Sequence, residues 1–211
     1  IRLADFVGMG CGAALPTLQS AGDLIAANPG KRVAVVAVEI CSAAFYLDDD
    51  PGVLISACLF GDGAAATIWT GDPEDGVGLS QFRSVHLPEK RNLLRFENRN
   101  GYLRNRLHKS VPGVAANAVR GLFDQSEGSE SAYIIPHAGG RDVLDAMGAL
   151  LPQGDFPESR EVLRKYGNMS SPSVLFALER YLESTPQTKR PVWLTTFGAG
   201  FSAYSAMLNG Q

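Results

Sequence analysis

Phe6-Val7-Gly8-Met9-Gly10-Cys11-Gly12-Ala13-Ala14 passes from a short apolar run, through glycines, into a helical pattern with a cysteine at the junction. The spacing predicts the end of a strand over residues 1–7. It predicts a helix over residues 12–27, where Leu15, Leu18, Gly22 and Ile25 recur on one face. Pro16 fits such a helix only in its first turn, and Asn28-Pro29-Gly30 ends it. A thiol at that junction meets unpaired backbone N–H groups and the helix dipole, which favour the nucleophilic thiolate. The glycines beside it leave room for a bulky acyl group to approach the sulfur. Gly8-x-Gly10-x-x-Ala13, with Glu39 further on, also imitates a dinucleotide fingerprint. The acid stands rather far along for that role, and a tight strand-to-helix turn explains the glycines equally well.

Outward from this point, strands and helices alternate. Residues 32–40 form an almost continuous β-branched run, which predicts a strand buried on both faces. Asp48-Asp49-Asp50-Pro51 is a polar loop before a short apolar helix that runs through Leu59; Phe60-Gly61-Asp62-Gly63 is a turn. Strands are expected over 64–69 and 77–85, and an irregular, charged surface connection over 87–100. An amphipathic helix follows over 111–125, then a buried strand over 132–135 ending at Pro136-His137. Helices over 141–151, 159–166 and 170–182 precede two strands, 191–195 and 201–208, joined around Phe197-Gly198-Ala199-Gly200. This alternation implies a layered α/β fold.

The chain has 211 residues, 45% hydrophobic and 19% charged, with a net charge of -3, enough for a substantial core in one large or two small domains. That charge gives no electrostatic reason to expect nucleic acid or an anionic membrane as partner. No apolar run is long enough to span a bilayer, and no leader pattern opens the sequence. Cys11, Cys41 and Cys58 are an odd number without a CxxC pair, which fits reduced thiols in the cytoplasm.

Among the histidines, His86 and His108 have no distinguishing context. His137 ends a buried strand, where open α/β sheets place ligands, and two glycines follow closely. Asn168, in Tyr166-Gly167-Asn168-Met169-Ser170-Ser171, precedes an apolar helix and reads on its own as an N-cap. Phe60 reads as core packing, and residues 197–200 as a hairpin turn.

Taken in order, five segments resemble one family. They are Gly10-Cys11-Gly12, Leu59-Phe60-Gly61-Asp62-Gly63, His137-Ala138-Gly139-Gly140, Tyr166-Gly167-Asn168-Met169-Ser170-Ser171 and Phe197-Gly198-Ala199-Gly200. This order is similar to that of type III polyketide synthases, the chalcone-synthase-like enzymes of the thiolase superfamily, over essentially the whole chain. The resemblance implies a thiolase-like layered αβαβα fold. Residues 1–75 would close its N-terminal half and carry the nucleophile; residues 76–211 would form the C-terminal half with the histidine and asparagine.

The same resemblance implies a Cys11–His137–Asn168 triad that loads an acyl group from coenzyme A. The enzyme would then decarboxylate malonyl-CoA and join the two by Claisen condensation, as a cytoplasmic homodimer using coenzyme A thioesters and no resident cofactor or metal. An adjacent imidazolium would lower the thiol pKa, and His137 with the Asn168 amide would donate to the enolate oxygen. Phe60 would stand at the mouth of the acyl cavity, Ser170 on its wall, and Phe197, Gly198 and Gly200 in the cyclisation loop.

Departures concern the product. Cys41 and Ala44 replace threonines of the plant enzymes and Ser56 a glycine; Thr196 and Ala199 alter the loop; and the second gatekeeping phenylalanine is missing from the stretch Tyr102-Leu103-Arg104-Asn105-Arg106-Leu107. Cys41 and Ala44 would leave room for a long apolar starter, as in alkylresorcinol and alkylpyrone producers. Family members carry roughly as much chain again before the nucleophile, so these residues alone are expected to need further chain for catalysis. The alternatives are a ketoacyl carrier-protein synthase III-like or HMG-CoA-synthase-like enzyme, and a non-catalytic paralogue that keeps the fold.

Overall fold

Val192–Gly198 (β7) and Ser202–Leu208 (β8) are buried at every position, which a strand achieves only with a layer on each face. In this computed structural model, which describes residues 1–46, 48–72, 76–99, 101–185 and 189–209, those layers are helical. The two strands form an antiparallel hairpin inside a four-stranded sheet. Leu79–His86 (β3) runs antiparallel to β8, and Tyr133–Pro136 (β6) runs parallel to β7.

Val192, Leu194, Tyr204, Ala206 and Leu208 point to one side, into a core shared with Ala14–Ala27 (α1) and Ser173–Ser184 (α6). Trp193, Phe197, Ala203 and Met207 point to the other, against Val111–Gln125 (α3) and Arg141–Leu150 (α4). Pro157–Tyr166 (α5) packs beside α6 and places Val162 in the first core.

A second sheet lies beyond α1. Val33–Glu39 (β1) pairs in antiparallel register with Gly63–Trp69 (β2), from Val33 opposite Trp69 to Glu39 opposite Gly63. Here an expectation fails. Only Val35 and Ala37 of β1 are buried, while Val36 and Val38 are 61% and 53% exposed. The β-branched run therefore has one face on the α1 core and one apolar face open. From outside inward the described layers are α3/α4, sheet, α1/α6, sheet.

Three further readings need correction. Residues 1–7 form no strand; a strand needs a partner to complete its hydrogen bonds, and this exposed segment has none among the described residues. The stretch 87–100, read as irregular, instead enters a hairpin: Leu94–Arg99 (β4) pairs with Tyr102–Leu107 (β5). Its charges looked like a solvated loop, but Glu97 on β4 meets Arg95 on the same strand and Arg106 across it. The third helix of the C-terminal series starts at Ser173, not 170. The division expected after residue 75 falls on a position outside the described residues.

Pro51–Leu59 (α2) links the two regions. Asp50 caps it, accepting from Gly52 N at 2.9 Å and Val53 N at 3.3 Å, and also pairs with Arg104 of β5. Among the described residues, no helix is long and apolar enough to cross a membrane.

Candidate active site

Cys11 does not sit in the first turn of α1. It occupies the middle of a separate 3-10 turn, Gly10–Gly12, and α1 begins at Ala14. That puts Pro16 at the third helical position, where its missing N–H would have been unpaired in any case. The turn is clamped by β7. A Cβ on Gly198 would stand 2.6 Å from Gly12 N and closer still to Met9 O, so only glycine allows the strand this near. Thr196 Oγ1 reinforces the contact by donating to Gly12 O at 3.3 Å.

Asn168 is fixed from three sides. Its backbone bridges Phe60: Asn168 N donates to Leu59 O at 2.8 Å, and Gly61 N donates to Asn168 O at 3.0 Å. Its Oδ1 accepts from Ser170 N at 2.8 Å, and its Nδ2 donates to Gly139 O at 3.1 Å. A backbone N–H only donates and a carbonyl only accepts, so the orientation of the amide is determined. The N-cap reading fails, because α6 starts five residues later. The thiol of Cys11 approaches Asn168 Oδ1 at 3.8 Å. One amide proton is thus taken by Gly139, and the oxygen, not the nitrogen, is the atom near the sulfur.

His137 follows β6, and its N–H donates to Thr195 O of β7 at 2.8 Å. The ring is fully buried, edge-on to Phe197 with centroids 5.6 Å apart, and neither ring nitrogen has a hydrogen-bond partner among the described residues. Gly139 lies between this pair and Asn168, with no space for a side chain: a Cβ there would fall 2.8 Å from the Phe197 ring and 3.3 Å from that of His137.

Burial shapes the electrostatics. It pushes the Cys11 thiol up to about 11, an effect that the Ser170 hydroxyl opposes and the Glu39 carboxylate adds to. Burial also pulls the His137 imidazole down to about 3. Burial thus favours a neutral thiol and a neutral imidazole and works against the expected imidazolium-assisted thiolate. Cys41 is raised to about 12, again by burial first and then by Glu39 and Cys11. All three cysteines are free.

A cavity of about 270 Å³ opens beside the sulfur. Of the residues singled out in the sequence, Cys11, Cys41, Ala44, Ser56, Phe60, Ser170 and Gly198 line it. His137, Asn168, Phe197 and Gly200 do not. The first three are buried, and Gly200 shapes the β7–β8 turn with φ +130. The wall residues not anticipated as such include Glu39 and Asn105. Glu39 ends β1 and accepts through Oε1 from Ser170 Oγ at 3.1 Å and Ser171 Oγ at 2.9 Å. Its one sequence signal had been its place in an imitation dinucleotide motif. Asn105 comes from β5, in the stretch singled out from sequence for its missing gatekeeping phenylalanine. Asp62 anchors the Cys41–Ala44 turn, accepting from Ser42 N at 2.8 Å and Ser42 Oγ at 2.5 Å.

A layered α/β fold with a cysteine in the turn before its central helix is the arrangement of thiolase-like condensing enzymes. Comparison narrows the class. The model described as FAE1/Type III polyketide synthase-like protein matches residues 1–89, and that of the 3-oxoacyl-[acyl-carrier-protein] synthase III C terminal matches residues 125–209. With the relatives below, these matches make the chain similar to type III polyketide synthases.

It is 32% identical over 197 residues to the 3,5-dihydroxyphenylacetyl-CoA synthase of Streptomyces toyocaensis, covering 85% of this chain and 50% of that protein. The namesake enzyme of Amycolatopsis orientalis is 33% identical over 192 residues, covering 85% and 52%. Among solved structures, 1,3,6,8-tetrahydroxynaphthalene synthase from Streptomyces coelicolor A3(2) superposes with a TM-score of 0.84 at 29% identity, over 98% of this chain and 62% of that one. The type III domain of Steely1 from Dictyostelium superposes at 0.86 and 24% identity, over 96% and 60%, a likeness of fold. The chain spans about half the length of the curated relatives it matches.

Proposed function

We propose that the protein is an acyltransferase that condenses malonyl-CoA, with loss of carbon dioxide, onto an acyl-CoA starter. The observation that carries this is the Cys11 sulfur on the wall of a mostly apolar cavity, 3.8 Å from Asn168 Oδ1. Cys11 Sγ attacks the starter thioester; its proton passes through the imidazole to the departing coenzyme A sulfur, leaving an acyl-cysteine. Burial raises the thiol and lowers the imidazole, and a thiolate–imidazolium pair relieves both costs together.

Malonyl-CoA then loses its carboxylate as carbon dioxide. The bonding electrons move into an enolate, whose carbon attacks the acyl-cysteine carbonyl and expels the thiolate. A His137 ring N–H and the second amide proton of Asn168 are the donors for the enolate oxygen, each worth about 3 kcal/mol of barrier. Because decarboxylation itself supplies the carbanion, coenzyme A thioesters suffice and no resident cofactor is invoked. Cys41, Ala44, Val53 and Phe60 make the walls apolar, in keeping with an alkyl or aryl starter. We place the protein in the cytoplasm as a homodimer, as in the resemblance above.

The match of residues 125–209 to a carrier-protein synthase keeps a second reading: extension from malonyl carrier protein. Full-length protein, incubated with a panel of acyl-CoA starters and either malonyl-CoA or malonyl carrier protein, separates the two by product mass. Condensation products from malonyl-CoA that vanish in Cys11→Ala are expected. A wild-type protein whose Cys11 never carries an acyl group refutes the proposal and favours a non-catalytic paralogue.

A further inference from the structure

Charge is unevenly shared along this chain. Residues 87–110 hold seven of its nineteen Lys and Arg side chains but only two of its twenty-two acids. The remaining sequence, with twelve bases against twenty acids, is net acidic. The fold gathers the basic excess on one hairpin. Lys90 and Arg91 belong to the turn before β4, where Leu93 N donates to Lys90 O at 2.9 Å. His108 N donates to Leu93 O at 2.9 Å, which draws Lys109 to the same base of the hairpin. Further along, Arg95 and Arg106 stand directly opposite each other and share the carboxylate of Glu97. Lys90, Arg91 and Lys109 are exposed and make no ion pair among the described residues. Beside these charges Phe96 is 54% exposed, and it lines the cavity of Cys11 together with Leu94 and Arg95. A basic surface with a bare aromatic ring thus borders the cavity that holds the nucleophile.

We propose that this hairpin is the docking surface for an acidic acyl carrier protein, which delivers the starter as a thioester on its pantetheine arm. This rests on the condensing-enzyme reading and adds a partner and a source for the acyl group. Cys11 Sγ bonds to the carried carbonyl carbon as that carbon's bond to the arm's sulfur breaks. The thiol proton of Cys11 ends on the sulfur of the departing arm. The charge spreads over the turn and both strands, and Phe96 offers the apolar centre that a polar-rimmed protein contact uses. An anionic membrane is a broad plane and would also face the acidic remainder of the chain; a small partner meets the hairpin alone. Attraction at the hairpin and repulsion elsewhere orient the carrier before contact.

The test offers octanoyl-CoA or octanoyl carrier protein to full-length protein and follows the acyl mass on Cys11 with time. Wild type is expected to load from the carrier quickly at low salt and more slowly as salt rises. The triple charge reversal Lys90→Glu, Arg91→Glu, Lys109→Glu is expected to slow carrier loading roughly thirtyfold at low salt. Loading from octanoyl-CoA should fall far less, and the melting temperature should hold, since all three side chains are exposed. Lys90→Arg with Lys109→Arg keeps the wild-type rate. A carrier rate indifferent to salt or to the reversal overturns the proposal, as does no carrier loading where octanoyl-CoA succeeds. Equal losses from both donors also overturn it and make the cluster a site for coenzyme A phosphates. If neither donor loads Cys11, the condensing-enzyme reading fails separately. Docking is then read from the binding of fluorescent carrier protein. Affinity that the charge reversal abolishes upholds the surface; affinity that survives it, or none, overturns it, whether or not phosphatidylserine vesicles bind.

Discussion

Iodoacetamide should find Cys11 a slow nucleophile at neutral pH and a fast one only in strong base. With its pKa raised to about 11, roughly one thiol in a thousand is ionised at pH 8. An unperturbed cysteine near 8.5 would be about one quarter ionised there. The thiolate is the reacting form, so Cys11 should label some two hundredfold more slowly than a peptide cysteine at that pH, roughly as the ratio of these populations. Its rate should climb about tenfold per pH unit until it bends near 11. Peptide-resolved mass spectrometry of timed labelling reads this directly, with exposed Cys58 in the same sample showing that the reagent is active. Glu39→Gln should move the bend to lower pH, because the Glu39 carboxylate is among the groups that raise the thiol; burial, the larger cause, stays. A labelling rate that levels off below pH 8 would refute the reasoning. It would mean that the proton already rests on His137 and that the pair is ionic before any substrate arrives.

Stability should respond to acid through His137. Its imidazole is held at about 3 in the folded chain against about 6.5 unfolded, so between these values the unfolded state binds the extra proton and gains. Folding should lose about 2 kcal/mol by pH 5 from this group alone, and urea midpoints of His137→Gln should fall less over the same range. Gly198→Ala forces a carbon against Met9 O and Gly12 N, both backbone atoms that cannot step aside, and should cost about 3 kcal/mol or more in urea unfolding. Asp50→Ala removes the acceptor for two α2 N–H groups and the partner of Arg104; a loss of about 1–2 kcal/mol is expected, measured the same way.

Elements whose apolar period matched their surroundings were legible from sequence. The amphipathic α3, the strand ending at His137 and the hairpin around residues 197–200 stand close to where they were read. The misreadings share one cause, partners distant in the chain. β4 was hidden because its charges pair across a hairpin, which periodicity within one segment does not reveal. The exposed face of β1 was invisible because a β-branched run looks the same whether one or two layers cover it. Asn168 read as a cap because nothing local announces that Phe60, over a hundred residues earlier, holds its backbone. The pKa pattern was misjudged because a helix-end argument counts only nearby dipoles, while burial, the larger influence, comes from the whole fold.

The crossing of Gly198 over the nucleophile turn carries a lesson about synthesis. Ribosomes deliver Cys11 long before Gly198, yet the sulfur's seat is built from both. Until the β7–β8 hairpin emerges, the thiol has neither its floor nor the strand that steadies it. Premature termination upstream of that hairpin would leave a polypeptide with its reactive atom intact and nothing to aim it.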